Sequence, residues 1–264
     1  ADFLARTEPK LLRIEDSFSP VVQISIQPDA VGISGDVRDV LAVKRRVVGE
    51  EAWEIGLSCK HNHDAVKHQR ISPTIDFGGQ WLGNALNQDD FSELTRIFNQ
   101  IDTDRNIGHA NWNQIADKEQ RYYVPSLQLI INKIRLHPDQ HLLANHLLSY
   151  LIGNHDFYKV IVHEAANLKN TSLHVLGFNL NGTLNQSTVD GIVPTERVVR
   201  LRLPERVVNV GLKPGSSNTL EVFFDGGWQI SMRVHNATTK LEKSLKMDVR
   251  LTGMPPQLFS QTIT

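Results

Sequence analysis

A single cysteine, Cys59, occurs among 264 residues. Neither an internal disulfide nor an all-cysteine zinc site can be built, and a reducing cytoplasm is the expected setting. No apolar run approaches the roughly 20 residues needed to cross a bilayer, so no membrane partner is expected. Residues 1–15 mix charge and apolar side chains throughout, unlike a signal peptide. The missing initiator Met leaves room for residues ahead of Ala1. Repeats and low-complexity linkers are absent, and so is an excess of either charge. The 28 Lys plus Arg stand against 29 Asp plus Glu, for a net charge of −1 with the 11 His neutral. A near-neutral total does not exclude a polyanion partner, because local clustering sets the field. One cluster exists: Lys60, His61, His63, Lys67, His68 and Arg70 lie within eleven residues beside the single acid Asp64. With 40% hydrophobic and 22% charged residues, the chain has the composition of a globular protein. Its length fits one large domain or two modest ones.

The texture changes twice along the chain. Residues 21–26, 37–48 and 53–60 read as strands by alternation and β-branched content. Between Asp89 and Gly153 the period is helical. Phe91, Leu94, Ile97, Phe98 and Ile101 follow Asp89 as N-cap, Pro125 precedes Leu127, Ile130, Ile131 and Ile134, and Pro138 precedes Leu143, Leu147 and Leu151. Gly153 is the expected stop. Strand patterns return at 157–162, 173–178, 197–203 and 207–212. A hairpin is expected from 219–224 and 228–235 around Asp225-Gly226-Gly227. A last strand is expected at 245–251. The expected fold is mixed α and β, divided into 1–88, 89–153 and 154–264 or forming one continuous unit.

Two strands carry the chemistry. Asp39 and Lys60 lie 21 residues apart, the span of a strand, a turn and a returning strand. A hairpin would join them at one sheet edge. A carboxylate that holds Mg²⁺ and a lysine that positions water are the parts of a metal-dependent phosphodiesterase. Period-two geometry puts Glu54, Gly56, Ser58 and Lys60 on one face, with Trp53, Ile55, Leu57 and Cys59 on the other. Glu54 then lies on the order of 20 Å from Lys60. Ser58 is a weak metal ligand, so a further carboxylate is expected from Asp36, Asp64, Asp76 or residues ahead of Ala1. The plain alternative is an exposed ion pair of little energetic worth.

After Lys60, the spacing of His63, Lys67 and Arg70 (i, i+4, i+7) predicts one face of a short basic helix that meets phosphates. His61, His63 and His68 are the competing zinc ligands, without a cysteine to complete a tetrahedron. The contiguous spelling His61-Asn62-His63 does not match the His-Asn-His nucleases, whose residues are spread over a ββα unit. In the late hairpin, Trp228, Ile230, Met232 and Val234 form an apolar face. Gln229, Ser231, Arg233 and His235, continued by Asn236, form a polar one suited to base edges. An ordinary half-exposed antiparallel sheet would look the same.

These stretches resemble a known family. The matching blocks are Gly35-Asp36-Val37-Arg38-Asp39-Val40-Leu41 and Trp53-Glu54-Ile55-Gly56-Leu57-Ser58-Cys59-Lys60-His61-Asn62-His63-Asp64-Ala65-Val66-Lys67-His68. Asp76-Phe77-Gly78, Trp81-Leu82-Gly83, Gly227 through Ala237, Leu245-Lys246 and Gly253-Met254-Pro255 extend the match over nearly the whole chain. Together they resemble the HaeIII-type family of type II restriction endonucleases. The resemblance implies a PD-(D/E)XK core, Mg²⁺, double-stranded DNA with a short palindromic site (GGCC in the namesake) and no nucleotide cofactor. Two copies of the chain are the simplest readers of a palindrome, so a homodimer is expected. The catalytic candidates are Asp39, Lys60, Ser58 and Glu54, and the metal candidates are Asp39, the Cys59 carbonyl and Asp36. DNA contacts are expected from Asn62, His63, Lys67, His68 and Arg70, and from Gln229, Ser231, Arg233, His235 and Asn236. Ser58 departs from the family's acid before the lysine and leaves the second carboxylate unassigned. An unspecific or repair nuclease on the same core, and a non-catalytic DNA-binding module, remain the alternatives.

Overall fold

Alternating strands and amphipathic helices build two separate sheets in the computed structural model, which describes residues 2–12, 19–28, 36–47, 52–61, 65–164 and 171–263. In chain order the elements are α1 (Asp2–Thr7), α2 (Pro9–Leu12), β1 (Gln23–Ile26), β2 (Val40–Arg45), β3 (Ala52–His61) and β4 (Ala65–Ile71). Three helices follow: α3 (Gln88–Asn106), α4 (Val124–Arg135) and α5 (Gln140–Ile152). The rest is β5 (Phe157–Glu164), β6 (Thr171–Phe178), β7 (Val207–Leu212), β8 (Thr219–Phe224), β9 (Gln229–Asn236), β10 (Leu245–Gly253) and β11 (Phe259–Ile263). These elements form two compact units. One comprises residues 1–64, 153–202 and 255–264, and the other comprises 65–152 and 203–254. That division differs from three consecutive regions because the helical middle shares a unit with late strands.

The first unit carries a six-stranded sheet in the order β1-β2-β3-β5-β6-β11. β3 and β5 run parallel, and every other neighbouring pair is antiparallel. Its core joins Phe3, Trp53, Ile55, Tyr158, Val175, Leu184 and Val198. The Phe3 and Tyr158 rings meet edge to face with centroids 5.2 Å apart, a favoured aromatic geometry. A Cβ on Gly177 would lie 2.8 Å from Val198 Cγ1, so the close approach of that segment depends on glycine. Residues 197–203 do not form the expected strand. The Val198 N–H donates to Asn185 Oδ1 and the Leu201 N–H to the Asn179 carbonyl. Pro194 and Pro204 flank the segment and have no N–H to extend a ladder.

The second unit carries an antiparallel sheet in the order β4-β10-β9-β8-β7. Its apolar face is fully buried: Leu220, Val222, Trp228, Ile230, Met232, Val234, Leu245, Met247 and Val249 are each at most 1% exposed. Burial of each such side chain contributes about 1.5–3 kcal/mol as an upper estimate. Helices α4 and α5 pack on strands of this sheet. Leu127, Ile130, Ile131 and Ile134 of α4 and Leu143, Leu147 and Leu151 of α5 are buried, as their spacing predicts. The N-cap of α3 is Asn87, not Asp89. Asn87 accepts from the Asp90 N–H while Asp90 accepts from the Asn87 N–H, a reciprocal capping box. After α5, Gly153 takes φ 87°, the left-handed conformation that ends a helix.

The expected basic helix is a strand. β4 pairs with β10 through Arg70↔Lys246, Gln69↔Met247 and His68↔Asp248. Val66, His68 and Arg70 alternate with the buried Gln69 and Ile71, and this period satisfies a sheet neighbour. The i, i+4, i+7 relation of His63, Lys67 and Arg70 therefore does not apply. Asn62, His63 and Asp64 lie outside the described residues, as do the side chains of Leu12, Ala65 and Lys67.

Candidate active site and nucleic-acid interface

In the first unit, the β2–β3 register pairs Val40 with Leu57, which brings Asp39 level with Ser58. The Asp39 N–H donates to the Leu57 carbonyl at 2.8 Å and locks that position. Three donors converge on Asp39 Oδ2: the Cys59 N–H at 2.6 Å, Lys60 Nζ at 3.3 Å and Ser58 Oγ at 3.4 Å. The Asp39 and Lys60 side chains are 43% and 30% exposed, so the pair is open to a ligand. Burial and the Asp39 charge push the Cys59 thiol above its ordinary pKa.

Glu54 and Asp36 are brought together around Arg38, the residue before Asp39. The guanidinium donates from Nε to Asp36 Oδ1 at 2.8 Å and from Nη2 to Asp36 Oδ2 at 2.7 Å, with Nη1 on Glu54. Burial would raise the Asp36 carboxyl, yet the hydrogen bonds and charge of Arg38 hold it below its usual pKa. Gly56 makes the arrangement feasible: a Cβ there would lie 2.0 Å from Arg38 Cδ. Asp36 and Glu54 are thus both engaged by the Arg38 guanidinium. Asp76 is spent on its own turn, where Oδ1 accepts from the Gly79 and Leu86 N–H groups. His61 pairs with Glu164, with Nε2 3.1 Å from Oε2. Among the described residues no three His, Cys, Asp or Glu side chains gather as a metal cluster; His63, one of the three histidines of the zinc alternative, lies outside them. One residue was missed. Lys159 is 4% exposed and level with Ser58 on the parallel strand β5. A lysine inside an otherwise apolar strand was the available signal.

In the second unit, the face of the sheet opposite the core is polar, with more Arg and Lys than acidic residues. One row across the strands reads His68, Asp248, Arg233 and Thr219. The next reads Arg70, Lys246 and His235, and a third Arg250, Ser231 and Glu221. Arg233 finds its carboxylate on the neighbouring strand β10. Its Nη2 lies 3.2 Å from Asp248 Oδ2. Asp225 accepts from the Glu205 and Arg206 N–H groups. Asn236 is engaged on both sides of its amide, donating to the Thr238 carbonyl at 2.7 Å and accepting from Tyr123 Oη at 3.3 Å. Gln229 and Ser231 are half-buried, and Arg70 is exposed. Asp248, Lys246 and Arg250 had not been singled out. Their signal, charges alternating with Leu245, Met247 and Val249, was legible only as strand period.

The described candidates are thus a strand-end carboxylate held by an ammonium in one unit and a polar, Arg- and Lys-bearing sheet face in the other. The chain belongs to the HaeIII restriction endonuclease family, whose family model matches residues 1–255. It is 38% identical over 252 residues to the type II restriction enzyme HaeIII of Haemophilus aegyptius, covering 93% of this chain and 74% of that protein.

Proposed function

We propose that this restriction endonuclease hydrolyses phosphodiester bonds of double-stranded DNA at a short palindromic site, GGCC, with Asp39 and Lys60 at the reacting phosphate and Mg²⁺ as cofactor. The observation that carries the reading is the convergence of the Cys59 N–H, Lys60 Nζ and Ser58 Oγ on one oxygen of Asp39. Oδ1 receives none of these three donors. Mg²⁺ is held by one or two carboxylates plus substrate oxygens and retained waters, so an exposed carboxylate such as Asp39 suits it. Asp39 and the Cys59 carbonyl would hold the ion, which when bound supplies Lewis-acid activation of the phosphate and of water. Lys60 orients the attacking water and balances charge that develops on the phosphoryl oxygens. The Cys59 N–H and Ser58 fix the Asp39 rotamer.

DNA meets the polar face of the second unit's sheet. Arg70 and Lys246 contact phosphates, joined by Asn62, His63 and Lys67, and Arg233 with His68 and His235 reads base edges. The mixed sheet with Asp39 and Lys60 at adjacent strand ends is consistent with a PD-(D/E)XK core. A palindrome read symmetrically calls for a homodimer on DNA. The test is a plasmid of known sequence incubated with and without Mg²⁺. Discrete fragments that end at GGCC support the reading, a smear replaces it with an unspecific nuclease, and uncut plasmid leaves a binding module.

A further inference from the structure

The polar face of the second sheet holds a carboxylate that neither hydrolysis nor phosphate contact uses. Asp248 lies on β10 between β4 and β9, and its side chain is 10% exposed. Three side chains from the flanking strands meet it. His68 Nδ1 stands 2.7 Å from Oδ1, Arg233 Nη2 3.2 Å from Oδ2, and His235 Nε2 3.3 Å from Oδ1. The His235 contact is one of charge and proximity, because its ring is also turned to the Asn236 carbonyl through Nδ1 at 3.0 Å. The main chain that carries Asp248 is fixed in place. It is paired on both sides, and the neighbours Met247 and Val249 are fully buried.

The side chains it gathers are outward-facing, with His68 at 45% and Arg233 at 52% exposure. An exposed arginine samples many rotamers, and ordering it costs affinity at the moment of binding. A fixed carboxylate beneath it removes much of that cost, and the contact engages only one of the five N–H donors of a guanidinium. Arginine to guanine O6 and N7 is the commonest base-specific pairing, and it requires the fork to be held at one angle. We propose that Asp248 is a positioning residue for sequence recognition, fixing Arg233, His68 and His235 as one donor array that meets the base edges of a G·C pair. This rests on the proposed function and names the residue that makes its reading specific.

The test compares wild type with Asp248→Asn, which keeps the size and one acceptor but removes the charge. Cleavage rates are measured on duplexes with the intact site and with each single-base change, alongside binding to a non-cognate duplex and thermal melting. The intact-to-altered rate ratio should fall about 10- to 100-fold at one base pair of each half-site. Non-cognate binding should be unchanged or stronger, since a negative charge is lost. Because Asp248 acts through Arg233 and the two histidines, the combined loss in Asp248→Asn with Arg233→Ala should fall clearly short of the product of the two single losses. An unchanged ratio with a lowered melting temperature makes Asp248 scaffold and overturns the proposal, as does full additivity in the double variant. Should Asp248→Asn fail to fold, Arg233→Lys keeps the charge and loses the fork. It should lose the same ratio, and a full ratio would overturn the proposal. Wild-type protein that cuts without pattern sinks the proposed function itself, an outcome distinct from the others.

Discussion

Glu8 should make the stability of the first unit fall as pH rises through neutrality. Its side chain is fully buried, and Oε1 accepts from Tyr158 Oη at 2.6 Å and from the Asn185 N–H at 2.8 Å. Burial pushes its pKa from 4.5 up to about 7 against the pull of those hydrogen bonds and of Lys10, with the Asp156 charge adding to the rise. Between these values the folded chain keeps a proton that the unfolded chain has lost. Folding then takes up a proton, and stability declines with rising pH. The contribution is fully present below pH 4.5 and gone above about 7, a span worth on the order of 3 kcal/mol. Glu8→Gln keeps the acceptor for Tyr158 and Asn185 and abolishes the titration. Urea unfolding of both proteins at a series of pH values isolates the effect, since histidines that titrate in the same range cancel in the difference. Asp248, held near 2 by His68 and His235 against the effect of burial, loses its contribution only in acid below 3.8, outside this window. The variant should gain about 3 kcal/mol on wild type between pH 4.5 and 8. A flat difference across that range would refute the burial argument.

Three further outcomes are expected. Gly56→Ala should cost about 1–3 kcal/mol, because Arg38 must leave β3 and give up its contacts with Asp36 and Glu54; an unchanged melting curve would mean that the cluster yields freely. Asn87→Ala should destabilise the second unit by about 1 kcal/mol through loss of the α3 capping box, read by denaturant midpoint at constant slope. Arg70→Ala should weaken binding to all duplexes alike and reduce the salt slope by about one; a loss confined to the cognate site would make Arg70 a base reader.

Local period carried most of the fold. The late hairpin followed from Asp225-Gly226 between two alternating runs, and the buried stripes of α4 and α5 followed from i, i+3, i+4 spacing. β4 was misread because cations at 63, 67 and 70 fit a helical face, while its true constraint is a partner strand some 180 residues later, seen in His68↔Asp248. Long-range pairing leaves no local signature. The same reason hid β11, Lys159 and Asp248, each of which takes its meaning from a neighbour distant in sequence. The approach of Asp39 to Lys60 was legible because consecutive antiparallel strands carry them, whereas the joint hold of Arg38 on Asp36 and Glu54 left no mark in the spacing.

The most direct test of the account replaces Asp39 and Lys60 by alanine, one at a time, and measures cleavage of a duplex bearing one GGCC site in Mg²⁺ beside binding to the same duplex without the metal. Each variant should bind within a few-fold of wild type and melt normally, yet leave the duplex uncut. Cleavage at the wild-type rate by either variant would place the chemistry elsewhere in the chain and contradict the assignment of Asp39 and Lys60.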